Sequence, residues 1–573
     1  MGHDLSLLIG GAAGQGIQTI GGLLAGMCNR AGLYTYSYDD YQSRIRGGHS
    51  FHLLRVSDQP LTAPSLSVDI LVAMDRNSAE IHGGKLASQG ILVLNEAPSG
   101  EAILEDRPQV QQIRTDLGKL ARSAGGAVAM NTVAAGVVAS VMGMDMTLVE
   151  SIVREQFESR GADVVKLNLK ALQRGVEAAG SVGLNRAVPQ GEPSLSHGVL
   201  SGARAAALGA LAADCRFFPF YPMSPGTPVV AQLSEYAKEL PIVVEQAEDE
   251  IAAVNMAIGA SFAGVRSLVS TSGGGFSLMV EGLGLSGITE IPIVIINAMR
   301  PGPATGLATR TAQADLLFAI HASQDEFPRF VFAPGSVQDV YDNVKRAVAL
   351  SEKYQVPAIV LMDQFIMDSA RTQKGPLKLG DEHESLLIQD TGVSQGETYQ
   401  RYKLTESGIS PRMVPCTGQG LVRSAGNEHT PDGFPSEDPE NRTAMMDKRR
   451  KKGRAMEKEM GMPDVFCPQS EFFLTAWGSS KGAVMEACLC LREAGHNVGW
   501  IIFEDLWPLD RHQLKQLLGG RKMIMVEGNV GNQLGELIRM LTGLDFVSSV
   551  NKYDGRPLYK EFIMDRVKQI LAA

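Results

Sequence analysis

The sequence predicts an α/β protein made of three α/β domains, and three observations carry that expectation. Short aliphatic runs alternate with longer segments of helical period along most of the chain. Glycine-rich turns join strand to helix at residues 10–16 and 271–277, the connection that open parallel sheets use. A length of 573 residues suffices for three or four cores at ~100–200 residues per domain.

In chain order, residues 5–10 read as a strand that runs into Gly10-Gly-Ala-Ala-Gly-Gln-Gly16 and then a helix over 17–31. Glycines at such a turn let backbone N–H groups approach a phosphate, and the helix start favours negative charge. The spacing departs from the dinucleotide fingerprint, no acid follows at the ribose position, and tight packing alone is the competing reading. Arg44, Arg46 and His49 flank a glycine pair soon after, offering donors to an anionic ligand, or else forming a solvated turn. Further strands at 69–73 and 90–94 make residues 1–185 one domain, and the Pro- and Gly-containing residues 186–197 a linker.

The second domain spans 198–375. It opens with an Ala-rich helix and the strand 216–221, which ends in Tyr221-Pro-Met-Ser-Pro-Gly-Thr-Pro228. Three prolines stiffen this turn and present the hydroxyls of Ser224 and Thr227. A short apolar run at 242–244 reads as a buried strand, followed by Glu245, Glu248, Asp249 and Glu250 and then an Ala-rich buried helix. Ligands collect where strands hand over to helices, although acids also simply favour helix starts. The strand 265–270 leads into Thr271-Ser-Gly-Gly-Gly-Phe-Ser277. The nearly pure aliphatic run 291–297 reads as a central parallel strand that delivers Arg300, a candidate carboxylate clamp or a structural ion pair, into a Gly- and Pro-rich loop ending at Arg310.

Residues 376–465 lose periodicity and read as a connector with one helix, whose basic run Asp447-Lys-Arg-Arg-Lys-Lys-Gly-Arg454 is expected on a solvated face. Order returns over 466–573, where strands at 472–477, 498–503 and 523–526 alternate with helices.

Composition bounds the function. Hydrophobic residues make up 44% and charged residues 20%, as in ordinary globular chains. A net charge of -10 argues against nucleic acid or an anionic membrane as partner, since both recruit basic surfaces. Cys28, Cys215, Cys416, Cys467, Cys488 and Cys490 form no Cys-x-x-Cys pair, so no metal or iron–sulfur site is expected in this chain. Scattered cysteines, no signal-like N-terminus and no apolar run of ~18 residues lead to the expectation of a cytoplasmic protein.

Six ordered motifs resemble those of the 2-oxoacid:ferredoxin oxidoreductases, specifically an α subunit with the γ domain fused at its N-terminus, as in the 2-oxoglutarate enzymes. Gly-Ala-Ala-Gly-Gln-Gly16 and Arg46-Gly-Gly48 are similar to the γ domain. Tyr221-Pro-Met-Ser-Pro225, Thr271-Ser-Gly-Gly-Gly-Phe-Ser-Leu-Met279 and Arg300-Pro-Gly-Pro-Ala-Thr-Gly306 are similar to the thiamine-pyrimidine-binding domain. Gly408-Ile-Ser-Pro-Arg412 with Glu437-Asp-Pro-Glu-Asn-Arg442 resembles the family's insertion, and Trp477-Gly-Ser-Ser-Lys-Gly482 with Leu506-Trp-Pro508 resembles its transketolase-C-terminal-type domain.

The resemblance implies thiamine diphosphate chemistry: oxidative decarboxylation of a 2-oxoacid to its acyl-CoA, with electrons leaving to ferredoxin, or the reverse reaction fixing CO2. It assigns Glu250 to N1′ of the cofactor's aminopyrimidine, where a shared proton is needed. It makes Ser272, Gly273 and Phe276 cofactor-binding candidates, and Ser224, Thr227, Arg300 and Arg310 substrate-binding ones. Arg300 would meet the 1-carboxylate or 2-oxo oxygen, and Arg310 the distal carboxylate of 2-oxoglutarate. Ser224 stands where the family has threonine, and Arg310 where it usually has lysine. Gly14, Gly16 and Arg46 are assigned to coenzyme A. No Gly-Asp-Gly followed by asparagine appears, nor a cluster-binding cysteine set. The resemblance therefore implies a β subunit carrying the Mg2+ and diphosphate site and a [4Fe–4S] cluster, in an (αβ)2 assembly that reduces ferredoxin. The alternatives are the same machine acting on pyruvate or other 2-oxoacids, and a non-catalytic nucleotide- or flavin-binding module.

Overall fold

The computed structural model describes residues 4–42, 48–97, 103–184, 189, 191, 197–378, 385–388, 398–417 and 421–572. The chain divides into two compact units, the first comprising 1–201 with 368–377 and 559–561, the second the remainder.

The first unit holds an eight-stranded sheet in the order Gln111–Thr115, Leu86–Asn95, Val68–Ala73, Asp4–Ala12, His49–Ser57, Tyr34–Asp40, Ala370–Lys374, His197–Ser201. The first four strands run parallel and the rest antiparallel. The aliphatic alternation of Asp4–Ala12 is buried on both faces, with Leu7, Leu8 and Ile9 inaccessible to solvent. Residues 198–201 and 370–374, which the sequence places in the second domain, complete this sheet instead. They pair with each other across 168 intervening residues, Ala370 opposite Ser201, a contact that no local pattern encodes.

The second unit takes together what the sequence reads as the second domain, the connector and the C-terminal domain. Its central sheet has the order Leu268–Ser272, Ile293–Met299, Pro357–Asp363, Phe330–Phe332, Asp505–Trp507, parallel except for the last strand. Ile293–Met299 is buried throughout, as its aliphatic run predicts. A second five-stranded sheet contains Asp464–Phe466, Val498–Phe503, Phe472–Trp477, Lys522–Glu527 and Ser548–Asn551. Phe217–Phe220 and Val243–Gln246 form a separate parallel pair, joined to the central region by the bridge between Phe217 and Ser267.

Two expectations about this unit are corrected. The run at 242–244 is not a buried strand: Val243–Gln246 pairs on one edge only, and Val243 is 54% exposed. The basic run is only partly a solvated face, because Lys448, Arg449 and Lys452 of the helix Pro439–Met456 are buried while Arg450, Lys451 and Arg454 are exposed. Lys448 Nζ and Lys452 Nζ each donate to Glu290 at 2.5 Å, and Arg401 Nη2 donates to the Glu290 carbonyl at 2.7 Å. Charge removed from water this completely persists only when paired, and the pairing clasps the connector onto the sheet. Among the described residues no helix is long and apolar enough to cross a membrane.

Candidate active site

The acidic turn resolves into distinct roles. Asp249 caps the helix Glu250–Phe262, its side chain accepting from Ala252 N at 2.7 Å. Glu245 and Glu248 stay exposed. Glu250, the first helical residue, is 2% exposed, and its Oε1 has no hydrogen-bond partner among the described residues. Burial raises its carboxyl above the ordinary value; its own backbone N–H lowers it, Asp249 raises it and Arg300 lowers it.

What surrounds Glu250 comes from the carboxyl ends of the central strands. Leu268–Ser272 runs into the helix Gly273–Thr289 through the glycine run. The glycine at 275 is required: a β-carbon there would overlap Thr271 Oγ1 and stand 2.7 Å from Glu250 Oε1. The neighbouring strand delivers Arg300, whose Nη1 donates to the Ser224 carbonyl at 2.5 Å. A β-carbon on Gly274 would lie 4.0 Å from Arg300 Nη2 and 3.9 Å from Met223 Sδ. Ser270 Oγ ties the proline-rich turn to its strand by donating to the Gly226 carbonyl at 3.0 Å. Burial lowers the Arg300 pKa while Glu250 raises it.

The cluster is short of partners. Besides Glu250 Oε1, the buried atoms Thr271 Oγ1, Ser272 Oγ, Asn297 Oδ1 and Arg300 Nε have no hydrogen-bond partner among the described residues. Buried polar atoms are nearly always satisfied, each orphan costing about 1–3 kcal/mol. Five at one strand edge therefore mark a surface shaped for something polar to land on.

The structure brings Glu250, Ser272, Gly273, Arg300 and the Ser224 backbone together. Thr227 starts the helix Thr227–Tyr236 on the same proline-rich turn and is half-buried. The Phe276 ring is fully buried edge-on to Phe318 at 5.1 Å, so it packs the helix onto the unit. Arg310 sits farther along its loop, its Cβ 3.1 Å from a β-carbon built on Gly555. In the first unit, Gly14 has φ 94 and open space around its Cα, and Gly16 adopts φ 76 where a β-carbon would overlap Asn131. Nearby, His49 Nε2 and His82 Nε2 share a hydrogen bond at 2.6 Å, and burial brings the His82 pKa down to about 3. Arg46 lies outside the described residues.

Sequence reasoning did not select Thr271, Asn297 or Asp315. Asn297 Nδ2 donates to Asp315 Oδ2 at 3.1 Å, and burial raises the Asp315 carboxyl above its ordinary value. A usable signal existed for Asn297, a polar residue inside an otherwise aliphatic strand. Asp315 offers none, because its approach to Gly273 is purely tertiary.

Comparison with known proteins places this cluster. The 2-oxoacid:ferredoxin oxidoreductase subunit alpha of Sulfolobus sp is 31% identical over 99% of this chain and 96% of its own length. The chain belongs to the 2-oxoacid:ferredoxin oxidoreductase α subunits. It is therefore a component of an enzyme, and the reading as a non-catalytic nucleotide module falls away. The family described as pyruvate flavodoxin/ferredoxin oxidoreductase, thiamine diP-bdg matches residues 208–448, the stretch that carries Ser224, Glu250, Ser272, Arg300 and Arg310. The family described as pyruvate ferredoxin/flavodoxin oxidoreductase matches residues 6–178. The 2-oxoglutarate oxidoreductase subunit KorA of Mycobacterium tuberculosis is 27% identical over 100% of this chain and 91% of its own. A solved 2-oxoglutarate:ferredoxin oxidoreductase from Magnetococcus marinus, with 2-oxoglutarate, coenzyme A and succinyl-CoA bound, superposes with a TM-score of 0.91 at 29% identity, covering 99% of each chain.

Proposed function

We propose that the chain is the α subunit of a thiamine-diphosphate-dependent 2-oxoglutarate:ferredoxin oxidoreductase. The enzyme would convert 2-oxoglutarate, coenzyme A and oxidised ferredoxin to succinyl-CoA, CO2 and reduced ferredoxin, or run the reductive, CO2-fixing direction in the cytoplasm. The observation that carries the reading is the buried Glu250 carboxyl, with an open Oε1 and a raised pKa, backed by Gly275 and facing the Arg300 edge.

These residues fit the aminopyrimidine half of thiamine diphosphate. A protonatable carboxyl matches a ring nitrogen, the β-carbon-free Gly275 lets Thr271 and Glu250 pack against the helix start, and the Thr271 and Ser272 hydroxyls have open valences. When bound, the cofactor supplies the nucleophilic carbon and the electron sink for decarboxylation. Glu250 holds a proton at Oε1 and shares it with the ring nitrogen, a role its raised pKa suits. Arg300, fixed on the Ser224 carbonyl through Nη1, would meet a substrate carboxylate or 2-oxo oxygen, with Ser224 and Thr227 on the adjoining proline-rich turn. Arg310 meets the distal carboxylate, and Gly14, Gly16 and Arg46 contact coenzyme A.

A β subunit holds the Mg2+ and diphosphate site and the [4Fe–4S] cluster, in an (αβ)2 assembly that passes electrons to ferredoxin. Support for a subunit face comes from Ile251 and Leu278, each 49% exposed on the two helices that begin at Glu250 and Gly273. The preference for 2-oxoglutarate over pyruvate rests on the Arg310 position and on the printed names of the Mycobacterium tuberculosis and Magnetococcus marinus proteins.

The test is co-purification of the chain with its β subunit, followed by a 2-oxoacid screen with coenzyme A and a low-potential acceptor. The highest kcat/KM is expected for 2-oxoglutarate. A higher value for pyruvate moves the assignment to the sister activity, and no turnover with any 2-oxoacid rejects it.

A further inference from the structure

The basic helix that the site leaves unused divides its charges between two directions. Lys448 and Lys452 turn inward to Glu290. Arg450 and Arg454, four residues apart, remain exposed on a face that lines a cavity of about 570 Å³. Arg329 immediately precedes the strand Phe330–Phe332, and Glu290 precedes Ile293–Met299, so this cavity lies at the amino ends of the central strands. Thr271, Ser272 and Arg300 stand at their carboxyl ends.

The cavity brings several arginines together with apolar surface. Arg449 lines it while 3% exposed, its Nη2 committed to Glu428 and its Nη1 buried without a partner among the described residues. Arg450 and Arg454 have no ion-pair partner among the described residues, and like charges at this spacing repel by about 0.2–0.5 kcal/mol unless an anion joins them. Arg511 also lines the cavity. Trp507, Pro508 and Phe327 supply the apolar surface, and Arg329 already stacks on Phe327 with its guanidinium carbon 4.3 Å from the ring centroid. The wall also carries acids, but Asp325 is held by Arg442 at 2.5 Å, leaving Glu326 and Glu457 against the arginines.

We infer that this cavity binds a nucleoside diphosphate, its phosphates on Arg449, Arg450, Arg454 and Arg511 and its base against Trp507. The volume falls within the ~300–1,000 Å³ of ordinary small-molecule sites. Multiple guanidinium groups converging on one space are the chemistry that phosphates select. The inference is independent of the substrate reading above, since binding is measured without turnover.

The test is titration of ADP into the co-purified α/β complex with coenzyme A held at saturation, so that a coenzyme A site does not report. Of this chain's three tryptophans, Trp477 and Trp500 are buried in the other five-stranded sheet, so the part of the quench that is lost in Trp507→Phe reports the site. Saturable binding is expected, weakened about tenfold or more in Arg450→Ala/Arg454→Ala. Pyrophosphate should lose affinity in the same variant, whereas adenosine should bind weakly and equally to both proteins. Trp507→Phe should abolish the quench while calorimetry still detects ADP. No calorimetric binding at millimolar ADP, or unchanged affinity in the double arginine variant, overturns the site. Protection of the arginines by the β subunit whether or not ADP is present overturns it as well.

Discussion

Two glutamates in the second unit are almost equally buried and live in opposite surroundings. Glu250 is 2% exposed and Glu290 is 1% exposed. Glu290 receives Lys448 and Lys452 at 2.5 Å each. Burial pushes its carboxyl up, yet Lys452, Lys448 and Arg401 outweigh that and hold it well below the usual carboxylate range. Glu250 has no such lysines, an open Oε1 and a raised pKa. The first is a finished structural site. The second is unfinished among the described residues, as the cofactor-facing role proposed above requires, and the comparison teaches that pairing, rather than burial, sets the two carboxylates apart.

The comparison breaks most visibly at Glu290. Glu290→Ala strands two buried ammonium groups, and a loss of about 3–5 kcal/mol is expected in urea unfolding of the chain. A loss below ~1 kcal/mol, the value of a surface pair, would show that the clasp is not structural. Its pH dependence has a definite sign. A carboxyl held below its ordinary 4.5 stabilises the fold above that pH and loses the contribution as acid protonates it, so acid should narrow the gap between wild type and variant.

Gly275→Ala tests the other glutamate's surroundings. Its new methyl would collide with Thr271 Oγ1 and crowd Glu250, costing about 1–3 kcal/mol of stability by the usual scale of overpacking. Thiamine diphosphate binding to the α/β complex should weaken in parallel; unchanged cofactor affinity would place the aminopyrimidine elsewhere. The smallest effect is expected at Arg310. Arg310→Met should lower kcat/KM for 2-oxoglutarate by about tenfold, a loss of ~1.4 kcal/mol, and leave pyruvate nearly unchanged. An equal fall for both substrates would remove the distal-carboxylate role.

Much of this contrast was legible before any coordinates. The strand-to-helix handovers at Gly16, Glu250 and Gly273 follow from periodicity and glycine punctuation, and the structure starts helices at Ile17, Glu250 and Gly273. The sequence places the four acids at a helix start, and the structure makes Asp249 the cap and Glu250 the first helical residue. What stayed hidden is long-range. The basic run at 447–454 has the composition of a solvated face, and only the αL turn at Glu290, 158 residues before Lys448, supplies the partner that draws Lys448 and Lys452 inward. The strands at 197–201 and 370–374 are likewise defined by each other rather than by their own sequences. Val243 carries the apolarity of a core strand but lies at an edge, because its strand has only one neighbour.

Glu250→Gln tests the central claim most directly, because it removes the shared proton without removing the shape. In the α/β complex, turnover should fall by about 10²–10⁴-fold while the subunits still co-purify. In the isolated chain the same change should raise the melting temperature at pH 8. A buried carboxyl with a raised pKa weakens the fold when ionised, and that penalty fades as pH falls through its raised pKa toward 4.5. Near-wild-type turnover, with or without the gain in stability, would contradict the assignment of Glu250 as the carboxylate that waits for the cofactor.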